Sequence, residues 1–83
     1  MQPLSKAILY PTITSDVLQL DLPETTEYAL AIVDLTGREI YSSRLATGKR
    51  QCTVEVDELR AGTYSLLLTN KTGFRQALRF VKR

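Results

Sequence analysis

The chain contains no histidine and only one cysteine. Without imidazole, Ser-His and Cys-His nucleophile pairs cannot be assembled, and zinc or iron loses its commonest ligand. A lone cysteine excludes an internal disulfide and any multi-cysteine metal site. No glycine-rich phosphate loop stands among the four glycines, and the carboxylates are scattered along the chain rather than paired. Lysine and carboxylate chemistry remains formally open, but the expectation is a protein that is no enzyme and holds no cofactor or metal. No apolar run approaches the roughly 20 residues of a membrane-spanning helix. The start, Met1-Gln2-Pro3-Leu4-Ser5-Lys6, lacks the basic and then apolar regions of a signal peptide. Residues 1–6 are therefore expected to be a linker or remnant ahead of the domain, either in a cytosolic protein or in a piece of a larger secreted one.

Eighty-three residues fit one domain with a thin core. An apolar fraction of 43% and a charged fraction of 24% are those of a globular chain, which argues against disorder. The net charge of +2 conceals a separation. Residues 1–58 carry five basic and nine acidic side chains, whereas residues 59–83 carry six basic and no acidic ones. A cationic C-terminal third either faces an anionic partner or is a solvated strand face with a basic tail.

Helical periodicity is poor throughout, and segments of five to eight residues alternate apolar with polar between turn residues. Ala7 to Tyr10 reads as a first strand stopped by Pro11, and Thr12 to Ser15 as a loop. Asp16 to Leu22 places Leu18, Leu20 and Leu22 on one face, and Pro23-Glu24 closes it. Tyr28 to Asp34 is apolar on both faces, as a central strand would be. Asp34-Leu35-Thr36-Gly37 turns the chain into Arg38 to Leu45, forming a hairpin in which Gly37 suits a positive φ. After a turn at Thr47-Gly48-Lys49, Cys52, Val54 and Val56 point inward, so Cys52 is expected in the core. Gly62 precedes Thr63 to Thr69, with Tyr64, Leu66 and Leu68 on one face; Tyr64 sits where a tyrosine corner would tie its hydroxyl back to the preceding turn. Asn70-Lys71-Thr72-Gly73 turns the last hairpin into Phe74 to Arg83, with Phe74, Leu78 and Phe80 inward and Arg75, Arg79 and Arg83 outward. The expected fold is all-β, a seven-stranded immunoglobulin-like antiparallel sandwich.

Four local patterns follow one another in order: Leu9-Tyr10-Pro11 with Thr14-Ser15-Asp16-Val17-Leu18; Val33-Asp34-Leu35-Thr36-Gly37-Arg38-Glu39-Ile40; Leu59-x-Ala61-Gly62-Thr63-Tyr64; and Arg79-Phe80-Val81-Lys82-Arg83. Each is weak alone, but their order and spacing over residues 7–83 resemble the C-terminal sorting domain of the type IX, or Por, secretion system of Bacteroidetes. One departure is visible: the family typically has Pro-Asn-Pro after the first strand, where this chain has Pro11-Thr12-Ile13 and only Pro11 matches.

The resemblance implies a domain that is a substrate rather than a catalyst. It would sit behind an N-terminal cargo domain in the same chain and pass from the periplasm through an outer-membrane translocon. A sortase-like cysteine peptidase would then remove it and join the cargo to anionic lipopolysaccharide at the cell surface, unless the cargo is secreted. Pro11, Arg38, Arg75, Arg79, Lys82 and Arg83 are the candidate recognition residues, and Gly37, Gly62 and Tyr64 the structural ones. Lys82 and Arg83 are singled out because a chain end does not need them for packing. Two other readings remain: a retained sorting domain anchoring a secretion-apparatus protein, and an immunoglobulin-like adhesion or glycan-binding module using Tyr10, Tyr28 and Tyr41. Nucleic-acid binding is discounted because Phe74 and Phe80 alternate into the core instead of interleaving with the arginines. The oligomeric state is not legible from the sequence.

Overall fold

A computed structural model describes residues 6–23, 26–45 and 50–83. Its eight strands are β1 (Ile8–Tyr10), β2 (Ile13–Thr14), β3 (Val17–Asp21), β4 (Tyr28–Val33), β5 (Glu39–Leu45), β6 (Gln51–Glu55), β7 (Gly62–Asn70) and β8 (Arg75–Lys82). They form a three-stranded sheet in the order β1-β3-β6 and a five-stranded sheet in the order β2-β8-β7-β4-β5.

The period of two decides which side chains meet. In the smaller sheet, Leu20 of β3 lies opposite Leu9 and Cys52, and Leu18 opposite Val54. In the larger one, Leu66 of β7 lies between Ile32 and Leu78, while Leu68 faces Leu30. Neither set can be buried by its own sheet. Leu18, Leu20, Val54 and Val56 merge with Tyr28, Leu30, Ile32, Leu66, Leu68 and Phe80 into a single buried cluster, so each sheet covers the other. Burying a leucine or isoleucine contributes about 1.5–3 kcal/mol. Phe74 closes one end with its ring edge-on to Tyr28, centroids 5.8 Å apart. A side-chain amide ties the two sheets together: Gln76 of β8 accepts from the Ala7 N–H at 2.8 Å and donates to the Ala7 carbonyl at 2.9 Å.

The hairpins β4–β5 and β7–β8 use the same device. In the first, the Asp34 carboxylate accepts from the Thr36 N–H, the Thr36 hydroxyl and the Arg38 N–H at 2.9, 2.6 and 3.0 Å. In the second, the Asn70 carbonyl oxygen accepts from the Thr72 N–H, the Thr72 hydroxyl and the Phe74 N–H at 3.0, 2.8 and 2.9 Å. Each turn then needs a left-handed residue, supplied by Gly37 at φ 84° and Gly73 at φ 98°. An added Cβ would meet nothing within 4 Å at either glycine, so the requirement is one of backbone conformation and not of space.

Two expectations are corrected. Among the described residues there are eight strands rather than seven, because Ile13 and Thr14, read as part of a loop, form β2 and pair in parallel with Val81 and Lys82. This pairing also breaks the expected antiparallel pattern. Two backbone bonds complete it, from Val81 N–H to Thr12 O at 2.7 Å and from Arg83 N–H to Thr14 O at 2.8 Å, and neither depends on side-chain pattern. The expectation that β4 is a central strand holds, since it lies between β7 and β5. Tyr28, Leu30 and Ile32 are buried, but Ala29 is exposed and Ala31 and Val33 are half-buried on the outer face, where small side chains need no cover. The expected turn at Thr47-Gly48-Lys49 lies outside the described residues, as do Glu24 and residues 1–5.

Cys52 packs against the core as the alternation requires. Burial, aided by the Asp21 charge, pushes its thiol above the usual range, which depletes the reactive thiolate. A disulfide reagent at mildly alkaline pH is expected to label the native protein at least about tenfold more slowly than the urea-unfolded protein. Equal rates would show that β6 does not present Cys52 to the interior.

Candidate recognition site

The candidate residues separate into a corner at which the chain is tied and a face left to solvent. The corner is at residues 59–64. The Tyr64 hydroxyl donates to the Arg60 carbonyl at 2.7 Å, which is the tie expected of a tyrosine corner. Its ring stacks on Phe80, its cross-strand partner in β8, with centroids 5.6 Å apart. Gly62 opens β7 opposite Lys82, with φ 157° at the margin of the extended region.

Lys82 corrects the idea of a frayed basic tail. It is only 7% exposed, and its ammonium donates to the Leu59 carbonyl at 3.0 Å and the Arg83 carbonyl at 3.2 Å. The physical reason is parity: Lys82 follows Phe80 by two residues and so shares its inward direction. With β2 bonded along the outer side of β8, the end of the strand is held between two neighbours. A buried ammonium is tolerated because the corner carbonyls replace part of its hydration. Lys82 is therefore part of the corner, and its place among surface recognition residues is withdrawn.

Arg75, Arg79 and Arg83 are exposed, on the face of β8 turned away from the core. Successive members of the set are roughly 13 Å apart along an extended chain. Across the sheet Arg79 lies opposite Ser65 and Arg75 opposite Thr69, so short neutral side chains separate the cations from the rest of the face. Among the described residues the ion pair formed is Arg44 with Glu27 at 3.4 Å, which leaves these three guanidinium groups without a carboxylate. The fourth candidate arginine, Arg38, is exposed beyond the β4–β5 turn, with its N–H held by Asp34. Pro11 is exposed between β1 and β2, follows a cis peptide bond, and adjoins Thr12, whose carbonyl accepts from the Val81 N–H of β8. The structure thus groups Arg75, Arg79 and Arg83 on β8, with Pro11 beside the edge of that strand, and leaves Arg38 apart from them. Sequence reasoning missed Gln76, although a glutamine between the inward residues Phe74 and Leu78 signals a polar group with a specific partner inside.

Among the described residues no cluster of three metal-ligating side chains exists, and no buried side-chain polar atom lacks a partner. What remains is an all-β domain whose corner and turn motifs fix its shape and whose outer faces are available to other molecules. The chain belongs to the family of secretion system C-terminal sorting domains, whose sequence model matches residues 8–83. It is a sorting domain of type IX secretion, a signal family and not a catalytic one. Membership implies recognition by the type IX machinery as part of a cargo chain, destined for the outer membrane, the cell surface or the extracellular space. A comparison with curated proteins finds no match.

Two stability experiments test the corner and the turn. Tyr64→Phe is expected to cost on the order of 1 kcal/mol in urea unfolding, by leaving the Arg60 carbonyl without its donor. Lys82→Glu should cost more, because a carboxylate would face the Leu59 and Arg83 carbonyls; unchanged midpoints in both variants would remove the corner from the account. At the β4–β5 turn, the Thr36 hydroxyl first, and the Arg38 and Thr36 N–H groups after it, hold the Asp34 carboxyl below its ordinary 3.8. A lowered carboxyl contributes stability that is complete above the unfolded value and lost as pH falls through the folded one. Asp34→Asn, which copies Asn70, should therefore flatten the acid limb of the stability profile below about pH 4 and leave neutral stability little changed. An identical acid limb in the variant would contradict that role.

Proposed function

We propose that this chain is the export signal of a cargo protein, read by the outer-membrane translocon of type IX secretion through the cationic outer face of β8. The observation that carries the reading is the separation of tasks within that strand. Gln76, Leu78, Phe80 and Lys82 face the core or the corner, while Arg75, Arg79 and Arg83 are exposed and unpaired among the described residues. Nothing in packing requires three arginines there, and a row of cations attracts an acidic surface. In this account the chain acts as one domain behind its cargo and transits the periplasm. It is presented to a sortase-like cysteine peptidase, which removes it and joins the cargo to anionic lipopolysaccharide. The clamp between Gln76 and Ala7 supports such a presentation, since it fixes where the chain leaves the domain, with Lys6 exposed just ahead. The architecture we assign is an immunoglobulin-like sandwich with β2 added on the β8 edge; the shared core and the Tyr64 tie support it.

An adhesion or glycan-binding role is less well supported. Tyr28 is fully buried, and the two exposed tyrosines, Tyr10 and Tyr41, stand in different sheets. The Tyr10 hydroxyl is also engaged by Asp21 at 3.0 Å. A stacking platform needs aromatics on one surface.

The test fuses a reporter ahead of residue 1 in a type IX-competent host. With Arg75, Arg79 and Arg83 all changed to Glu, the purified fusion should melt as the parent does, while the reporter accumulates in the periplasm. The same three positions changed to Lys should export normally. Export of the glutamate variant at the parental rate would overturn the electrostatic reading.

A further inference from the structure

Among the described residues the longest free edge is β5. It is bonded to β4 on one side only, and it is seven residues long, against three, two and five for the other edge strands β1, β2 and β6. Edges of this length are usually blunted by proline, lysine or a bulge. β5 contains no proline or lysine, and its one irregularity lies near its start, so Tyr41 to Leu45 pair with β4 without interruption. Ile40 and Tyr41 are 43% and 45% exposed along it.

Beside this edge the two sheets part, leaving a groove of about 640 Å³ between β5 and β6. Ile32 and Val54 form part of its floor, Tyr41 part of one wall, and Glu55, Asp57 and Glu58 line its other side. The three carboxylates are exposed, and none forms an ion pair among the described residues.

We propose that β5 and this groove receive an extended, basic segment of another polypeptide, which adds a strand to the larger sheet. The free backbone of β5 would bind the segment's main chain irrespective of sequence, and alternate apolar side chains would enter the groove. The carboxylates set the sign of the remaining side chains: lysine or arginine is attracted, and aspartate or glutamate repelled. A second copy of the domain does not meet this requirement. Its own β5 offers one cation, Arg44, already engaged by Glu27, and a further carboxylate, Glu39. This surface is separate from the arginine face of β8, since β7 and β4 lie between β8 and β5 in the sheet.

Two fluorescein-labelled decapeptides serve as probes with the 83-residue chain, one alternating valine with lysine and the other valine with glutamate. The basic peptide is expected to bind at least about tenfold more tightly than the acidic one at low salt. Glu55→Lys with Asp57→Lys and Glu58→Lys should remove that preference. Amide hydrogen exchange on the unsubstituted chain should show new protection over residues 39–45 when the basic peptide is present, and none over residues 75–82. Equal binding of the two peptides, or protection placed elsewhere or absent, would overturn the proposal. Protection of β5 that rises with protein concentration alone, together with a dimer mass, would assign the edge to a second copy and overturn it as well. The exchange experiment needs no variant, so a substitution that fails to fold does not weaken the test.

Discussion

The fold depends on the stacking of Tyr64 on Phe80 and the tie from the Tyr64 hydroxyl to Arg60. The chain crosses from the smaller sheet to the larger between β6 and β7, and a crossing in so short a chain must be fixed without the help of a large core. The tyrosine fixes it from both ends of its side chain. Its ring belongs to the core of the larger sheet, and its oxygen reaches the segment arriving from the smaller one. Lys82 then adds a bond to Leu59, next to the carbonyl that Tyr64 holds. The last strand of the chain thereby secures a turn some twenty residues before it.

Much of this was legible because a strand buried on one face writes its period into the sequence. Leu18-Leu20-Leu22, Cys52-Val54-Val56 and Tyr64-Leu66-Leu68 all point as alternation requires, and both hairpins turn where Gly37 and Gly73 stand. The elements that escaped are those whose cause is not a side-chain pattern. β2 is two residues long and held by backbone bonds to a strand almost seventy residues later, so nothing local marks it. Lys82 escaped for the opposite reason: alternation does put it on the face of Phe80, away from the arginines, but a residue at a chain end reads as frayed and unpacked. Its ammonium is satisfied only by carbonyls of other segments, a fact of tertiary structure.

The candidate recognition face was legible in outline and not in membership. A run of basic residues with no acid among them announces a charged C-terminal third, but charge counted along a chain does not say which side of a strand each residue takes. The fold divides the set. Lys82 goes inward, Arg75, Arg79 and Arg83 go outward, and Arg38 stays with a different turn.

The same sorting gives the domain two surfaces of opposite sign. The basic one lies on the outer face of β8, and the acidic one lines the opening between β5 and β6. Inner-facing positions are taken by packing and by the corner, so residues that contact other molecules must come from outer faces and edges, where substitution costs little stability. A domain whose role is to be recognised gains from that division. Its shape is held by Tyr64, Phe80, Lys82, Asp34 and Asn70, whose bonds close within the domain. Its exposed arginines and carboxylates are then left for contacts with other molecules, with no share in holding the fold that carries them.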